Sequence, residues 1–159
     1  MPRDIFWSVA LMSSVTIVFN GRIPSKKNNQ TMIQKGNKRI IVASKEYKLW
    51  EKNAIEDDLY GISPVKWKRF RCEMIIFAPD LIDADLSNKW EGLADAMVKA
   101  GIVPDDDWWQ MSEINLKFGG LDRENPRAVV KIWEMAEALP GDDEKAIAQA
   151  KTAKRKATL

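Results

Sequence analysis

Three observations predict an α+β domain in this 159-residue chain, a mixed β-sheet with two helices packed on it. Apolar residues alternate with polar ones in several runs rich in Val, Ile, Phe and Trp, as half-buried strands require. Two other segments repeat apolar residues every three or four positions and stop at a glycine, as amphipathic helices do. The strand and helix runs are interleaved, and 45% hydrophobic with 30% charged residues is an ordinary globular balance for one domain.

Residues 1–13 read as a loosely held leader. Arg3 precedes an apolar run, but Ser8, Ser13, Ser14 and Thr16 interrupt it and no small-x-small cleavage site follows. Neither a secretory signal nor a membrane span is expected from it. "SSVTIVFNGR" alternates and is β-branched, so a first strand runs from about Val15. "IPSKKNNQ" is a turn-rich basic loop, and "TMIQKGNKRIIVAS" reads as a hairpin turning at Gly36-Asn37. Ser44 is placed to N-cap a helix over "KEYKLWEKNAIEDDLYG", with Gly61 as its stop and Leu49, Ile55 and Leu59 helping to bury one side. "VKWKRFRCEMIIFAP" reads as a long strand burying Trp67, Phe70, Met74 and Ile76 while its bases point outward. "ADLSNKWEGLADAMVKAG" is the second helix, stopped by Gly101. "WWQMSEINLKFGG" and "AVVKIWEM" are two more strands around the loop "LDRENP". The expected order is β-ββ-α-β-α-β-β over residues 1–137. Residues 138–159 form a charged tail that suits either an exposed helix or disorder.

Charge is unevenly spread although the net is only +2. Residues 21–53 carry nine bases against Glu46 and Glu51, and residues 79–107 carry eight acids against Lys89 and Lys99. A basic block beside an acidic block fits a phosphate-binding surface around a cation site. Cys72 is the single cysteine and histidine is absent, which excludes a zinc–thiolate cluster, an internal disulfide and histidine acid–base chemistry. A reducing, cytoplasmic setting follows as an expectation.

On the second helix Leu86, Trp90, Leu93, Met97 and Ala100 share one stripe, while Asn88, Glu91, Asp95 and Lys99 share the opposite one. Solvation explains such a polar stripe, and Asp85 at the helix start has a capping explanation. However, Asp83 and Asp85 follow the loop "APDLID", and "PDDDWW" follows the helix, so the two acidic knots are expected to meet at one edge of the sheet. Clustered carboxylates repel unless a cation neutralises them. Oxygen-only ligands select hard ions, Mg²⁺ first and Mn²⁺ second. Lys89 suits either a plain surface lysine or a point charge aimed at phosphate. Arg22, Lys26, Lys27 and Asn28 in the basic loop, with Lys35, Lys38 and Arg39 in the hairpin, are phosphate-contact candidates. Trp67 and Trp90 are expected in the core. Trp108 and Trp109 suit core or dimer packing, or a base-stacking platform if one is exposed.

The order of pieces over residues 15–134 resembles the RusA-like Holliday junction resolvases, crossover junction endodeoxyribonucleases of bacteriophages and prophages. The matching pieces are "GRIPSKKN", "EYKLWEKN", a strand ending in Pro79, the acidic motif from Asp83 to Asn88, "DAMVKAG" and Asp105-Asp106. The resemblance implies a Mg²⁺-dependent homodimer that cuts four-way DNA junctions by paired nicks, inside the bacterial host. It also implies catalytic carboxylates from an Asp-x-Asp motif and the later Asp-Asp, assisted by a helical lysine. Without gaps, the motif's second aspartate falls on Ser87 and its lysine on Glu91. A second register keeps Asp83, Asp85 and Lys89 but inserts two residues into a helix, turning later side chains by about 200°. The ungapped register is therefore preferred, with Asp83 supplying the carboxylate that Ser87 lacks. The expected catalytic set is Asp85, Asp106, Asp83 and Lys89. The expected metal ligands are Asp85, Asp106, Asp83 and Asp105, supported by Asn88, Glu91 and Asp95. A junction-binding protein with a degenerate metal site is the alternative.

Overall fold

The computed structural model describes residues 13–27 and 29–159, so the expected leader lies, apart from Ser13, outside the described residues. Six strands and three α-helices follow in order: β1 (Ser14–Asn20), β2 (Gln30–Lys35), β3 (Lys38–Ala43), α1 (Lys45–Asn53), β4 (Phe70–Ala78), α2 (Leu86–Lys99), β5 (Met111–Leu121), β6 (Arg127–Glu134) and α3 (Asp142–Ala157). The expected α+β class with a mixed sheet is the observed one. The sheet order is β1-β6-β4-β5, and β2-β3 is a separate ribbon. Only β4 and β5 are parallel, and α2 is the crossover that this pairing requires.

Alternation decides which face of the sheet is covered. Phe70, Cys72, Met74 and Ile76 of β4 are buried in turn, as are Ala128, Val130 and Ile132 of β6 and Ile17 and Phe19 of β1. Trp90, Leu93 and Met97 of α2 pack on that face, with Leu86 and Ala100 partly buried at the stripe's ends. The opposite face stays half open, its aromatics covered by cations. Arg71 lies 4.5 Å over the Trp133 ring and Arg127 lies 4.0 Å over Phe77.

The helix caps follow the sequence at α1. Ser44 Oγ accepts from the Tyr47 amide at 3.1 Å. The inner side differs from expectation, because Tyr47 and Trp50 face the core and Leu49 is 58% exposed. A π-helical turn over Ala54–Asp58 then advances the face, so that Leu59 is buried and Ile55 packs against the core. At α2, Gly92 faces the Tyr47 ring, and a Cβ there would sit 2.9 Å from Tyr47 Oη. Gly92→Ala gains helix propensity, about 0.5–1 kcal/mol, but forces a buried ring to move, costing about 1–3 kcal/mol. The expected net effect is a loss of roughly 1 kcal/mol, read as a lower urea midpoint at unchanged m-value.

Two expectations fail at β4. The strand begins only at Phe70; before it, the Val65 amide bonds the Ile102 carbonyl at 2.8 Å as an extended connection. Arg69 does not point outward. It is 4% exposed, pairs with Asp142, and donates to the Trp109 and Glu137 carbonyls at 3.0 and 2.9 Å. This guanidinium ties the tail to the domain, and the tail itself is helical, with α3 carrying no buried residue. Trp67 is partly buried against the core, Trp90 is buried, and Trp108 is 80% exposed. No helix among the described residues is long and apolar enough to cross a membrane.

Candidate functional site

A cavity of about 810 Å³ opens where the loop after β1, the loop after β4 and the start of α2 meet. Arg22, Lys89, Asp80, Asp83 and Asp85 line it together with Ile23, Phe118 and Leu121. Lys89 Nζ reaches across to donate to the Ile23 carbonyl at 2.5 Å. Burial of the ammonium, and then the charge of Arg22, hold its pKa below the usual lysine value. Arg22 pairs with Asp80, which also accepts from the Ile82 amide at 3.0 Å. These two bonds, the guanidinium's first, lower the Asp80 pKa. The Ser25 hydroxyl, on the cavity wall, is buried and has no partner among the described residues.

Asp85 occupies the N-cap position of α2 without capping it: its side chain makes no bond to a helix amide. Its carboxylate instead accepts from Asn88 Nδ2 at 3.3 Å. Asp83 and Ser87 are exposed beside it.

The polar stripe of α2 meets the basic loop. Lys26 pairs with Asp95, and Lys27 lies 3.9 Å from Glu91. The hydrogen bond that Lys26 donates to Asp95 is the largest reason the Lys26 pKa is raised. Glu51 of α1 joins this face through Lys99 at 2.7 Å. Tyr47 is buried under the same acids; burial first, then the charges of Glu51, Asp95 and Glu91, push its pKa up. Its hydroxyl and Glu51 Oε2 are both buried without a partner among the described residues.

The acidic knot after α2, Asp105 to Asp107, divides by role. Asp107 is structural, accepting from the Trp109 amide at 2.8 Å and the Gln110 amide at 3.1 Å in the turn into β5. Asp105 and Asp106 form a pair. The Asp106 pKa is raised by lost hydration of its carboxyl first, then by Asp105, with Asp95 adding repulsion. The residue is exposed as a whole, so partial crowding of the carboxyl, not deep burial, is the cause.

The carboxylates therefore fall into two groups: Asp80, Asp83 and Asp85 around the cavity, and Asp105 and Asp106 with Asp95 further along α2. Asp95 stands ten residues beyond Asp85, roughly 15 Å along the helix axis. Among the described residues, no three His, Cys, Asp or Glu side chains are gathered as metal ligands would be. The expected meeting of the two knots is thus not seen. The reason is topological: β4 and β5 are parallel, so α2 carries the chain from one end of the sheet back to the other.

The basic candidates also divide. Arg22, Lys26 and Lys27 are held against acids. Lys35, Lys38 and Arg39 cluster around the Gly36-Asn37 turn of the ribbon, exposed and without an ion pair among the described residues. Asn28 lies outside the described residues. Arg69, Asp80 and Glu51 were not singled out by the sequence. Their roles depend on partners 73, 58 and 48 residues away, which no local pattern reports.

No protein-family model matches this chain, and no curated protein matches it.

Proposed function

We propose that this chain is a divalent-metal-dependent endonuclease acting on branched DNA, working as a homodimer as the RusA-like resemblance implies. One observation carries the reading: a basic ribbon is rooted on the acidic face. The Ser44 amide bonds the Asn29 carbonyl at 2.7 Å, closing the base of β2-β3 beside the loop whose Lys26 and Lys27 rest on Asp95 and Glu91. A DNA backbone gripped by Lys35, Lys38 and Arg39 runs from there toward the carboxylates.

The donor set fits Mg²⁺ or Mn²⁺. The Asp105–Asp106 pair offers oxygen ligands only, its mutual repulsion is relieved by a cation, and Mg²⁺ commonly takes one or two protein carboxylates with water and phosphate completing its shell. A bound ion of this kind polarises the phosphate and lowers the pKa of the attacking water. Asp105 and Asp106 would hold it, while Asp83 and Asp85 at the cavity rim, roughly 15 Å away along α2, lie too far to share that ion. Lys89, fixed by the Ile23 carbonyl, places a cation where the phosphate's charge develops. Lys26 and Lys27 orient Asp95 and Glu91 and add positive potential along the backbone path.

Incubating the full chain with a labelled four-way junction, with Mg²⁺ or with a chelator, tests the reading. Paired nicks with Mg²⁺ alone support it. Binding without nicking in Mg²⁺ or Mn²⁺ overturns the enzyme and leaves a junction-binding protein, a second reading favoured by Ser87 in place of the motif's second carboxylate. Failure to bind any DNA at low salt overturns both. The triple variant Lys35→Ala/Lys38→Ala/Arg39→Ala is expected to weaken junction binding by about tenfold or more and to flatten its salt dependence by up to about three charges.

A further inference from the structure

We propose that the cavity at the start of α2 receives one unstacked nucleotide, its base against the apolar wall and its phosphate at Lys89. The ligand class rests on the branched-DNA reading; the cavity adds to it a means of telling a branch point from plain duplex.

The sheet builds the apolar wall. Phe118 and Leu121 of β5 stand beside Ile76 and Ala78 of β4, on the face that α2 covers further in. Because α2 begins only at Leu86, this end of the face fronts the cavity and not a helix. Phe118 is 63% exposed although its neighbour Ile76 is buried. Trp50 of α1 adds a second ring, held in place by Phe19 at 6.5 Å and Tyr47 at 5.7 Å between centroids. Flat apolar rings suit an unstacked base, since every base has a π-face.

The polar groups complete the match. Lys89 is held by the Ile23 carbonyl, not by a carboxylate, so its charge is left for an incoming anion. Burial lowers its pKa, a shift that a phosphate beside it would reverse. Arg22, by contrast, is already paired with Asp80. Asp83 and Asp85, also on the wall, pair with no cation among the described residues. Carboxylate oxygens accept from the ring and amino N–H groups of a base edge, which pairing hides in a duplex. A phosphate ion has no use for the rings, and an acyl chain offers no N–H to the acids. A nucleotide offers all three chemistries at once.

Size and access then select branched DNA. A volume of about 810 Å³ falls in the small-ligand range of about 300–1,000 Å³, with room for a nucleotide and not for a duplex. A base must leave its stack to enter, and that costs least where pairing is already broken, as at a branch point.

The test uses the full chain in chelator, with 2-aminopurine replacing each branch-point base of a four-way junction in turn. The same probe in a continuous duplex is the control, and fluorescence anisotropy of an end label reports binding separately. One branch-point probe is expected to change its intensity on binding and to become shielded from acrylamide, while the duplex probe does neither. Phe118→Ala should weaken junction binding by about fivefold or more, the loss of one base–ring stack, and leave duplex binding unchanged. An abasic nucleotide at the responding position should weaken wild-type binding similarly and cost Phe118→Ala nothing further, a coupling that a merely structural role would not give. Ala84→Trp, which fills the cavity from an exposed loop position, should abolish the shielding. Thermal melts check that both variants fold. Junction binding with every probe silent overturns the cavity proposal while sparing the nuclease reading, as does wild-type behaviour in either folded variant. Failure to bind any DNA overturns both.

Discussion

Arg69→Met is expected to lower stability by about 3–5 kcal/mol, the cost of breaking a buried ion pair from one side. The guanidinium is 4% exposed and serves Asp142 and the Trp109 and Glu137 carbonyls at once. Methionine fills the stem's volume but leaves those acceptors without their donor, and the carbonyls are not free to turn toward water. Arg69→Lys recovers little, because one ammonium cannot reproduce the forked geometry that spans three segments. The contact also sets a pH window. Asp142 has its pKa lowered to about 2, chiefly by the bond from Arg69 and then by the Leu139 amide. A carboxyl depressed in the folded state stabilises above its unfolded pKa, and that contribution is lost as pH falls from about 4 toward about 2. Urea midpoints across that window should decline for the wild type and stay flatter for Asp142→Asn. Equal slopes would remove the pair from the acid response. An Arg69→Met midpoint within roughly 0.5 kcal/mol of wild type would mean that the staple carries no load.

Why Arg69 escaped a reading of the sequence is instructive. In "VKWKRFRC" four bases are interspersed with apolar residues, and an amphipathic strand predicts them all outside. The strand begins at Phe70, five residues later than the pattern does, and Arg69 just before it turns inward toward the tail. Local chemistry was legible where it acts within a few residues. The Gly36-Asn37 turn, the Ser44 cap, the stops at Gly61 and Gly101 and the buried stripe of α2 all obey short-range rules. The face of α1 was not, because a π-helical turn displaces the period and Tyr47 replaces Leu49 inside. The acidic knots were legible as candidates but not as an arrangement. Three successive aspartates look alike in sequence, yet Asp107 ties a turn while Asp105 and Asp106 confront each other. Their distance from Asp83 and Asp85 is fixed by the parallel pairing of β4 and β5, a long-range property that residue order alone does not reveal.

That division makes Asp106→Asn the sharper test of chemistry than Asp85→Asn. Under the nuclease reading, Asp106→Asn is expected to reduce junction nicking by about 100-fold or more while binding is kept, since even outer partners of metal ligands are worth about 10- to 100-fold. Asn keeps the shape and removes the charge, so a folding defect is not the anticipated cause. Stability in fact should move the other way. The Asp106 pKa is raised in the folded state, so its contribution is fully present below the unfolded value and lost as pH rises through the folded one. At neutral pH the ionised carboxyl therefore opposes folding, and Asn should raise Tm by roughly a degree or two. A cation reverses this sign: Mg²⁺ should raise the wild-type Tm more than the variant's, and more so as pH climbs past the raised pKa. Asp85→Asn locates the centre. If both variants lose nicking, the two acidic groups act on one phosphate. If only Asp106→Asn does, the Asp105–Asp106 pair is the working site, and Asp85 serves only to hold Asn88 at the cavity rim. Unchanged nicking and unchanged Mg²⁺ response in Asp106→Asn would remove this pair from the chemistry altogether.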